Sequence, residues 1–445
     1  MKANKIIIND EVLIDLTSDT ATESDVASGK TFHKADGNIA VGTAISSDGL
    51  SINGIVREYE ILAGENVSAG DFVEFVAKWA AGEYYTGKVS SLSACRLDNN
   101  RVLVVCGDGY AMVLTLGGVN IHVGTPKYFV DTSISGIPSV CALSDSKAVV
   151  TYSDNSSGSK SLYSAVLTIT GTAITVGSQI KFGYHGSLHS SCTLTDSKVL
   201  TLDYYGSYAT EHVDTSVLTV DGTTITRGNS IEVYDGKASY CSVCKLTDSK
   251  AVAIIGSSAY VLSIDGTKIS VGSRTALSST VKHPSVCRLT DGKALIAYHG
   301  DTNVCANILT ISGTTITKGT ETVIKEGAAT YISVAALTED KALVSYDGSA
   351  IILSIDDTVI NAGTPTAFNA SGGSKITLPF STNSALIVYA DGTGKYASLS
   401  IDGTTITIDA ASGTYVRPAT SNLHNVGVAK TAGTEGETIE VFCAV

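Results

Sequence analysis

Apolar and polar positions along this chain alternate in two short patterns that return again and again. The first reads Cys141-Ala-Leu-Ser-Asp-Ser-Lys-Ala-Val-Val-Thr-Tyr152. It recurs as CTLTDSKVLTLD from Cys192, CKLTDSKAVAII from Cys244 and CRLTDGKALIAY from Cys287. Looser copies start at Cys95, Ala335 and Leu378. The marker residues Leu97, Leu143, Leu194, Leu246, Leu289, Leu337 and Phe380 are separated by steps of 46, 51, 52, 43, 48 and 43 residues. A second pattern follows each copy of the first, as LTITGTAITVG from Leu167, LTVDGTTITRG from Leu218 and LSIDGTKISVG from Leu262. Its other copies start at Leu114, Leu309, Leu353 and Leu399.

Both patterns predict hairpins. In the second, β-branched residues alternate around Asp-Gly or Thr-Gly, a dipeptide suited to a tight turn. In the first, Thr-Asp-Ser-Lys separates two apolar runs. Two hairpins make four strands, and seven units of about 47 residues match the length of a propeller blade. Runs such as Ala-Val-Val and Ala-Leu-Ile, apolar without alternation, suit strands buried on both faces. The expected fold is all-β: a seven-bladed β-propeller of four-stranded blades over 88–410. A solenoid is the competing reading, and it needs an open stack with capping repeats.

In such a blade, with strands A to D, the AB and CD turns lie on one side of the disc. The BC loops and the connections from D to the next A lie on the other. Here the first set is uniform and the second varies in length and chemistry, and variable loops on a rigid scaffold are where binding usually resides. The richest loops surround the third unit. They carry Phe182, Tyr184, His185 and His189 on the way in, and Asp203, Tyr204, Tyr205, Tyr208, Glu211, His212 and Asp214 in the BC loop. Tyr234, Asp235 and Tyr240 follow on the way out. Tyr and His beside acids offer stacking faces and polar edges to a carbohydrate. The candidate receptor-binding residues are therefore Tyr184, His185, His189, Tyr204, Tyr205, Tyr208, His212, Tyr234 and Tyr240. The alternative is that these rings only fill wedge space between units. Tyr152, Tyr298, Tyr346 and Tyr389 share one repeat position and read as structural.

Composition narrows the function. Charged residues make up 16% of the 445, with 43 Asp and Glu against 30 Lys and Arg, a net charge of −13. That balance argues against nucleic-acid binding, which needs clustered basic residues. The apolar run Ile6-Ile7-Ile8 is too short for a secretory signal, and no stretch reaches the roughly 18 apolar residues of a spanning helix. Synthesis in a reducing cytosol without membrane insertion is the expectation. Five of the 9 cysteines, Cys95, Cys141, Cys192, Cys244 and Cys287, share one repeat position, which suits a small buried residue better than a disulfide framework. Cys241 and Cys244 form a lone CxxC with no second pair at finger spacing, so neither metal nor cofactor is expected.

The chemistry of a hydrolase is thinly represented. A sialidase-like site needs an arginine triad and Asp boxes. Of the seven arginines, Arg96 and Arg288 fall in the repeated strand, as does Lys245, and the Asp-Gly-Thr turns are hairpin turns. Asp203, Glu211 and Asp214 could supply a carboxylate pair at the 5–10 Å spacing of glycosidases. No Gly-x-Ser-x-Gly, phosphate loop or HExxH occurs. A binding protein is expected rather than an enzyme, with a polysaccharide depolymerase as an alternative.

Residues 1–87 and 411–445 lack the repeat. Gly64–Val73 and Gly427–Val441 each read as strand–turn–strand. The expectation is that 51–87 and 411–445 are two halves of one small β-domain that ties the ends of the propeller together without strand exchange at the ring closure. Within 1–50, the stretch Leu13-Ile14-Asp15-Leu16-Thr17, Asp19-Thr20, then Gly29, Thr31, His33, Gly37 and Ile39 resembles a segment of tail and tail-fibre proteins of phages of Gram-positive bacteria. The closing GVAKTAGTEGETIEV resembles small β-domains of phage virion proteins. The resemblance implies a component of a phage tail or tailocin particle, held to other tail, baseplate or virion proteins through 1–50. The propeller would then bind a glycan or other receptor on the host cell surface. A structural virion protein, in a baseplate or on a head, is the alternative. Trimers are frequent among tail fibres, so the resemblance allows a homotrimer.

Overall fold

A computed structural model describes residues 83–116, 121–130, 134–154, 160–181, 189–205, 211–368 and 373–408 with their side chains, and further strands between 5 and 82, at the margins of these segments and between 413 and 444 by their backbone. The chain divides into two units, residues 79–412 and residues 1–78 with 413–445. The larger unit is a seven-bladed β-propeller, all-β and without helices among the described residues.

Blade 3 serves as the type. Its A strand (His189–Thr195) pairs antiparallel with B (Lys198–Ser207), B with C (Thr210–Asp221) and C with D (Thr224–Arg227). A further short strand, Ile231–Asp235, pairs with the other half of C. The outer edge is thus one strand interrupted at Gly228, whose N–H still donates to the Val217 carbonyl at 2.8 Å. The interruption recurs at Gly124, Gly177, Gly272, Gly319 and Gly363. At Gly272 a Cβ would lie 2.3 Å from the Thr314 carbonyl oxygen in the CD turn of the next blade. Glycine there lets neighbouring blades close up.

The repeated Thr-Asp-Ser-Lys becomes a locked turn. Its first residue accepts an N–H from the residue two along, as from Ser197 to Thr195 Oγ1 at 3.4 Å and from Ser249 to Thr247 Oγ1 at 3.3 Å. The C strand then donates to the turn's third residue, as from Val220 to the Ser197 carbonyl at 2.8 Å. The basic residue opening strand B reaches the CD turn of the following blade: Arg101 Nη1 to the Gly171 carbonyl at 3.0 Å, and Lys198 Nζ to the Gly266 carbonyl at 3.2 Å. The uniform side of the disc is held by these contacts. Arg288 there is paired with Asp291 and Lys245 with Asp248, each at 2.6 Å.

Neighbouring blades bury apolar seams. Cys95, Cys141, Cys192, Cys244 and Cys287 each pack into the seam toward the following blade. All are free thiols, and burial pushes each of them up, Cys244 to about 12. Tyr152, Tyr298 and Tyr346 are buried in three of these seams, and Tyr389 in the seam between blades 6 and 7.

The innermost A strands contact one another around the whole ring, from blade 1 to blade 7 and back to blade 1. A circle of seven hydrogen bonds joins them. Ser93 Oγ accepts the Val140 N–H (3.2 Å), Ser139 accepts from Ser191 (3.0 Å), and Ser190 from Val243 (3.2 Å). Ser242 accepts from Val286 (3.3 Å), Ser285 from Val334 (3.0 Å), Ser333 from Thr377 (3.0 Å) and Ser374 from Leu92 (2.7 Å). The inner edge of a blade otherwise presents unpaired N–H groups to the axis, and a serine from the preceding blade satisfies one in each case.

Ring closure overturns one expectation. Residues 82–87, assigned from sequence to the small β-domain, lie in the strand Gly82–Val89 and pair with Ser384–Asp402 of blade 7. That strand occupies the outer-edge place that the chain downstream of D fills in the other six blades. The chain downstream of D in blade 7 leaves the propeller, so half of the C-strand edge would be unpaired. The segment leading into blade 1 covers it, and Tyr84 and Val89 are buried at the junction. Strands are exchanged at closure, without help from residues beyond 412.

In the smaller unit, Gly54–Ile61, Phe72–Lys78, Gly413–Pro418, Val426–Ala429 and Thr438–Ala444 form a closed five-stranded barrel, and Asn66–Val67 pairs with Gly433–Thr434. Each end of the chain contributes strands to it. Within the motif of 12–43, Glu11–Asp15 pairs with Lys5–Ile8 and Thr31–His33 with Ile39–Val41. Leu16, Thr17, Asp19, Thr20, Gly29 and Gly37 lie outside the described residues.

Candidate functional site

The starts of the seven A strands converge on the side of the disc that carries the variable loops, and they line an axial cavity of about 420 Å³. Its wall carries Tyr240, His283 and Tyr331 from blades 4, 5 and 6. These rings form a crescent. The centroids of Tyr240 and His283 are 4.5 Å apart and those of His283 and Tyr331 5.6 Å. Tyr240 Oη lies 3.4 Å from His283 Nε2. Lys375 of blade 7 continues the arc, its Nζ 5.7 Å from the centre of the Tyr331 ring. Pro138, Pro284, Ile137 and Ile332 supply apolar wall between the polar groups.

The crescent is held in a costly way. His283 and Tyr331 both have left-handed backbone, with φ of 49° and 52°. A bulky side chain in that region is a conformational outlier, and such outliers concentrate at functional sites. Burial, with the neighbouring basic groups His299, Lys282 and Lys375, lowers the His283 pKa, so the ring is neutral at pH 7 and presents a π face and a hydrogen-bonding edge.

Of the sequence-predicted residues, the structure brings His189 and Tyr240 to this cavity. The rest of the expected cluster does not form one patch. Tyr204 and Tyr234 pack half-buried in the seam with blade 4. Tyr205 and His212 stack on the opposite face of the same blade, centroids 5.2 Å apart. Residues 204 and 205 are consecutive on one strand, so their side chains leave by opposite faces. Tyr184 ends the strand Ile180–Tyr184, its side chain outside the described residues, as are His185 and Tyr208 altogether.

The acids near blade 3 are engaged in the wall of a seam. Six of the inter-blade seams are dominated by large apolar clusters, whereas the cluster between blades 2 and 3 is the smallest described and ends at Val149, Val166 and Val199. Toward the loop side it gives way to Thr151 bonded to Ser164 at 2.8 Å, then to Thr201, Asp203 and Arg227. Asp203 is fully buried: Oδ2 accepts from Thr201 Oγ1 at 2.9 Å and lies 3.6 Å from Arg227 Nη2, while Oδ1 has no hydrogen-bond partner. Burial raises its pKa to about 6, against the pull of Arg227. Asp214, its cross-strand neighbour, accepts from Ser230 Oγ at 2.6 Å and lies 3.5 Å from His212 Nε2. Asp203, Glu211 and Asp214 are all absent from the wall of the axial cavity.

The residues that sequence reasoning missed are His283, Tyr331 and Lys375. A signal for them exists. Tyr240, His283 and Tyr331 each stand four residues before the repeat's Cys or its substitute, at 244, 287 and 335. His189 and Lys375 stand three before theirs, at 192 and 378. Read as columns of the repeat, these two positions vary while the serine after them hardly does.

Compared with models of known protein families and with curated protein sequences, the chain matches none. Solved structures do share its fold. A functionally unknown protein from Desulfotomaculum acetoxidans superposes with a TM-score of 0.52 at 11% identity, covering 72% of this chain and 99% of its own. Saccharomyces cerevisiae Sqt1 does so at 0.50 and 11%, covering 85% and 100%. The WD40 β-propeller domain of Doa1 is similar at 0.47 and 12%, covering 75% and 97%. At these identities the likeness is one of fold alone.

Proposed function

We propose that this protein recognises a carbohydrate on a cell surface, through the axial cavity on the loop side of its propeller. The observation that carries this reading is the crescent of Tyr240, His283 and Tyr331, three rings on three blades edged by hydroxyls and an ammonium. Aromatic faces stack on the apolar faces of sugar rings, and the surrounding polar groups meet the hydroxyl rim. The loop side of a rigid disc is also where a ligand meets the fewest packing constraints. The setting on a phage tail or tailocin particle rests on the resemblance of residues 12–43, which would place 1–50 against other particle proteins and repeat the weak site over many copies.

The test is a glycan array supplemented with fractionated bacterial cell-wall material. Wild-type protein should bind a defined subset without releasing reducing ends. Tyr240→Ala and Tyr331→Ala should each lower affinity by roughly 2- to 10-fold, and Tyr204→Ala should not. Binding that is indifferent to Tyr240 and Tyr331 overturns the reading, and release of reducing ends makes the protein a depolymerase.

A further inference from the structure

Resting on the carbohydrate reading, we propose that the axial cavity selects sugars bearing an oxyanion, a carboxylate or a phosphate group, with Lys375 as its charge partner and the serine circle as its hydrogen-bond donors. The chain as a whole has a net charge of −13, yet among the described residues no Asp or Glu lines this cavity. Among the described residues its ionisable wall consists of Lys375, His189 and His283, with the hydroxyl and thiol of Tyr and Cys residues. Against the excess of acid in the chain, a described wall free of acids is informative.

Lys375 is 3% exposed. An ammonium has three N–H bonds to give. One goes to the Gly373 carbonyl at 2.8 Å, and among the described residues no carboxylate pairs with it. Burying a cation with so little compensation is expensive unless something else supplies the counter-charge. Burial lowers its pKa to about 8, so it still carries its charge at neutral pH. Asp347 acts on it only at longer range and is itself paired with Lys325 at 2.8 Å.

The serines add direction. Six of the seven ring serines, Ser93, Ser139, Ser190, Ser285, Ser333 and Ser374, line the cavity. Each already accepts an N–H from the next blade. A hydroxyl that accepts retains its own O–H to donate, except that Ser139 Oγ also shares a hydrogen bond with Ser191 Oγ at 2.7 Å. His189, 8% exposed, stands beside them next to the Thr151 backbone, and its neutral ring has one N–H. A chamber of donors around a cation, with no acid among the described residues, is complementary to an anion.

The experiment is calorimetric titration of the full chain with a neutral oligosaccharide, the matching uronate, a matching sugar phosphate and inorganic phosphate. One or both charged sugars should bind at least about tenfold more tightly than the neutral one, and the pair that does so identifies the oxyanion. Lys375→Met should erase the preference and Lys375→Arg restore part of it. A melting temperature of Lys375→Met at or above that of wild type shows that the variant is folded, because a buried charge has been removed. Equal binding of neutral and charged sugars, or a preference that survives in Lys375→Met, overturns the anion site and leaves the carbohydrate reading standing. Inorganic phosphate bound where no sugar binds keeps the anion site and overturns the carbohydrate reading. Silence of all four probes overturns both.

Discussion

His189 and Asp203 are cross-strand partners in blade 3, buried side by side with opposite titration behaviour. Burial lowers His189 to about 4 and raises Asp203 to about 6. Between pH 6.5 and 4 the unfolded chain protonates His189 and the folded chain does not, so this residue costs stability as pH falls. Between about pH 6 and 3.8 the folded chain protonates Asp203 first, so that residue adds stability as pH falls. Each effect is on the order of 3 kcal/mol and they offset each other. Denaturant melts of Asp203→Asn should therefore lose stability steeply from pH 6.5 to 4, and His189→Leu should gain it over the same range. Equal pH slopes in the two variants would contradict the assignment. Backbone strain is the other effect at this scale. Gly222 has φ of +58° with open space around its missing Cβ, so Gly222→Ala isolates the conformational cost, about 1 kcal/mol of lost stability by chemical denaturation. In blade 6 that position is Asp357, at φ of 54°, and its pairing with Lys293 at 2.5 Å offsets part of the strain.

Strands are held by their edges as much as by their faces. The outer edge of blades 1 to 6 carries a glycine because the next blade's CD turn occupies the space of a side chain. Gly272→Ala would press a Cβ to 2.3 Å from the Thr314 carbonyl oxygen, and backbone cannot swing away as a side chain can. Loss of about 1–3 kcal/mol is expected by denaturant melts, with the seam between blades 4 and 5 the first to gain amide exchange. The inner edge depends on the serine circle. Ser242→Ala leaves the Val286 N–H without its partner, at a cost of about 1–3 kcal/mol. The same loss on Ser242→Thr would show that hydroxyl loss is not the cause.

For the molecule as a whole, closure decides which part of the chain the propeller needs. The strand Gly82–Val89 completes blade 7, so a chain ending at Ser412 keeps every strand of the ring while losing three strands of the barrel. Such a truncation should keep the propeller's cooperative transition in a calorimetric scan, whereas Tyr84→Ala, at the closing seam, should lower it by about 3–5 kcal/mol. Burial of the thiols is a property of the intact ring too. Cys106, Cys141, Cys244 and Cys305 are buried, and burial raises all four pKa values. In a disulfide-exchange assay they should react slowly until the ring unfolds.

The number of blades and the chemistry of their turns are properties of the sequence by itself, because each rests on contacts within some 50 residues. Thr-Asp-Ser-Lys locks its own turn, and Asp-Gly and Thr-Gly form theirs wherever they stand. The seam tyrosines and thiols follow from the same repetition, since every copy meets an equivalent neighbour. The cavity was half legible. Columns at three and four positions before the repeat's cysteine contain Tyr240, His283, Tyr331, His189 and Lys375, but only closure of the ring brings five separate blades around one axis. The loop residues of blade 3 looked like one cluster along the chain, and strand alternation sent Tyr204 and Tyr205 to opposite seams. Closure itself, with residues 82–89 filling the edge of blade 7, depends on a pairing across some 300 residues that no local pattern encodes. Local hydrogen bonding wrote the blades into the sequence; the vacant strand edges and the shared axis, which exist only in the closed ring, decided where the chain joins and which side chains meet.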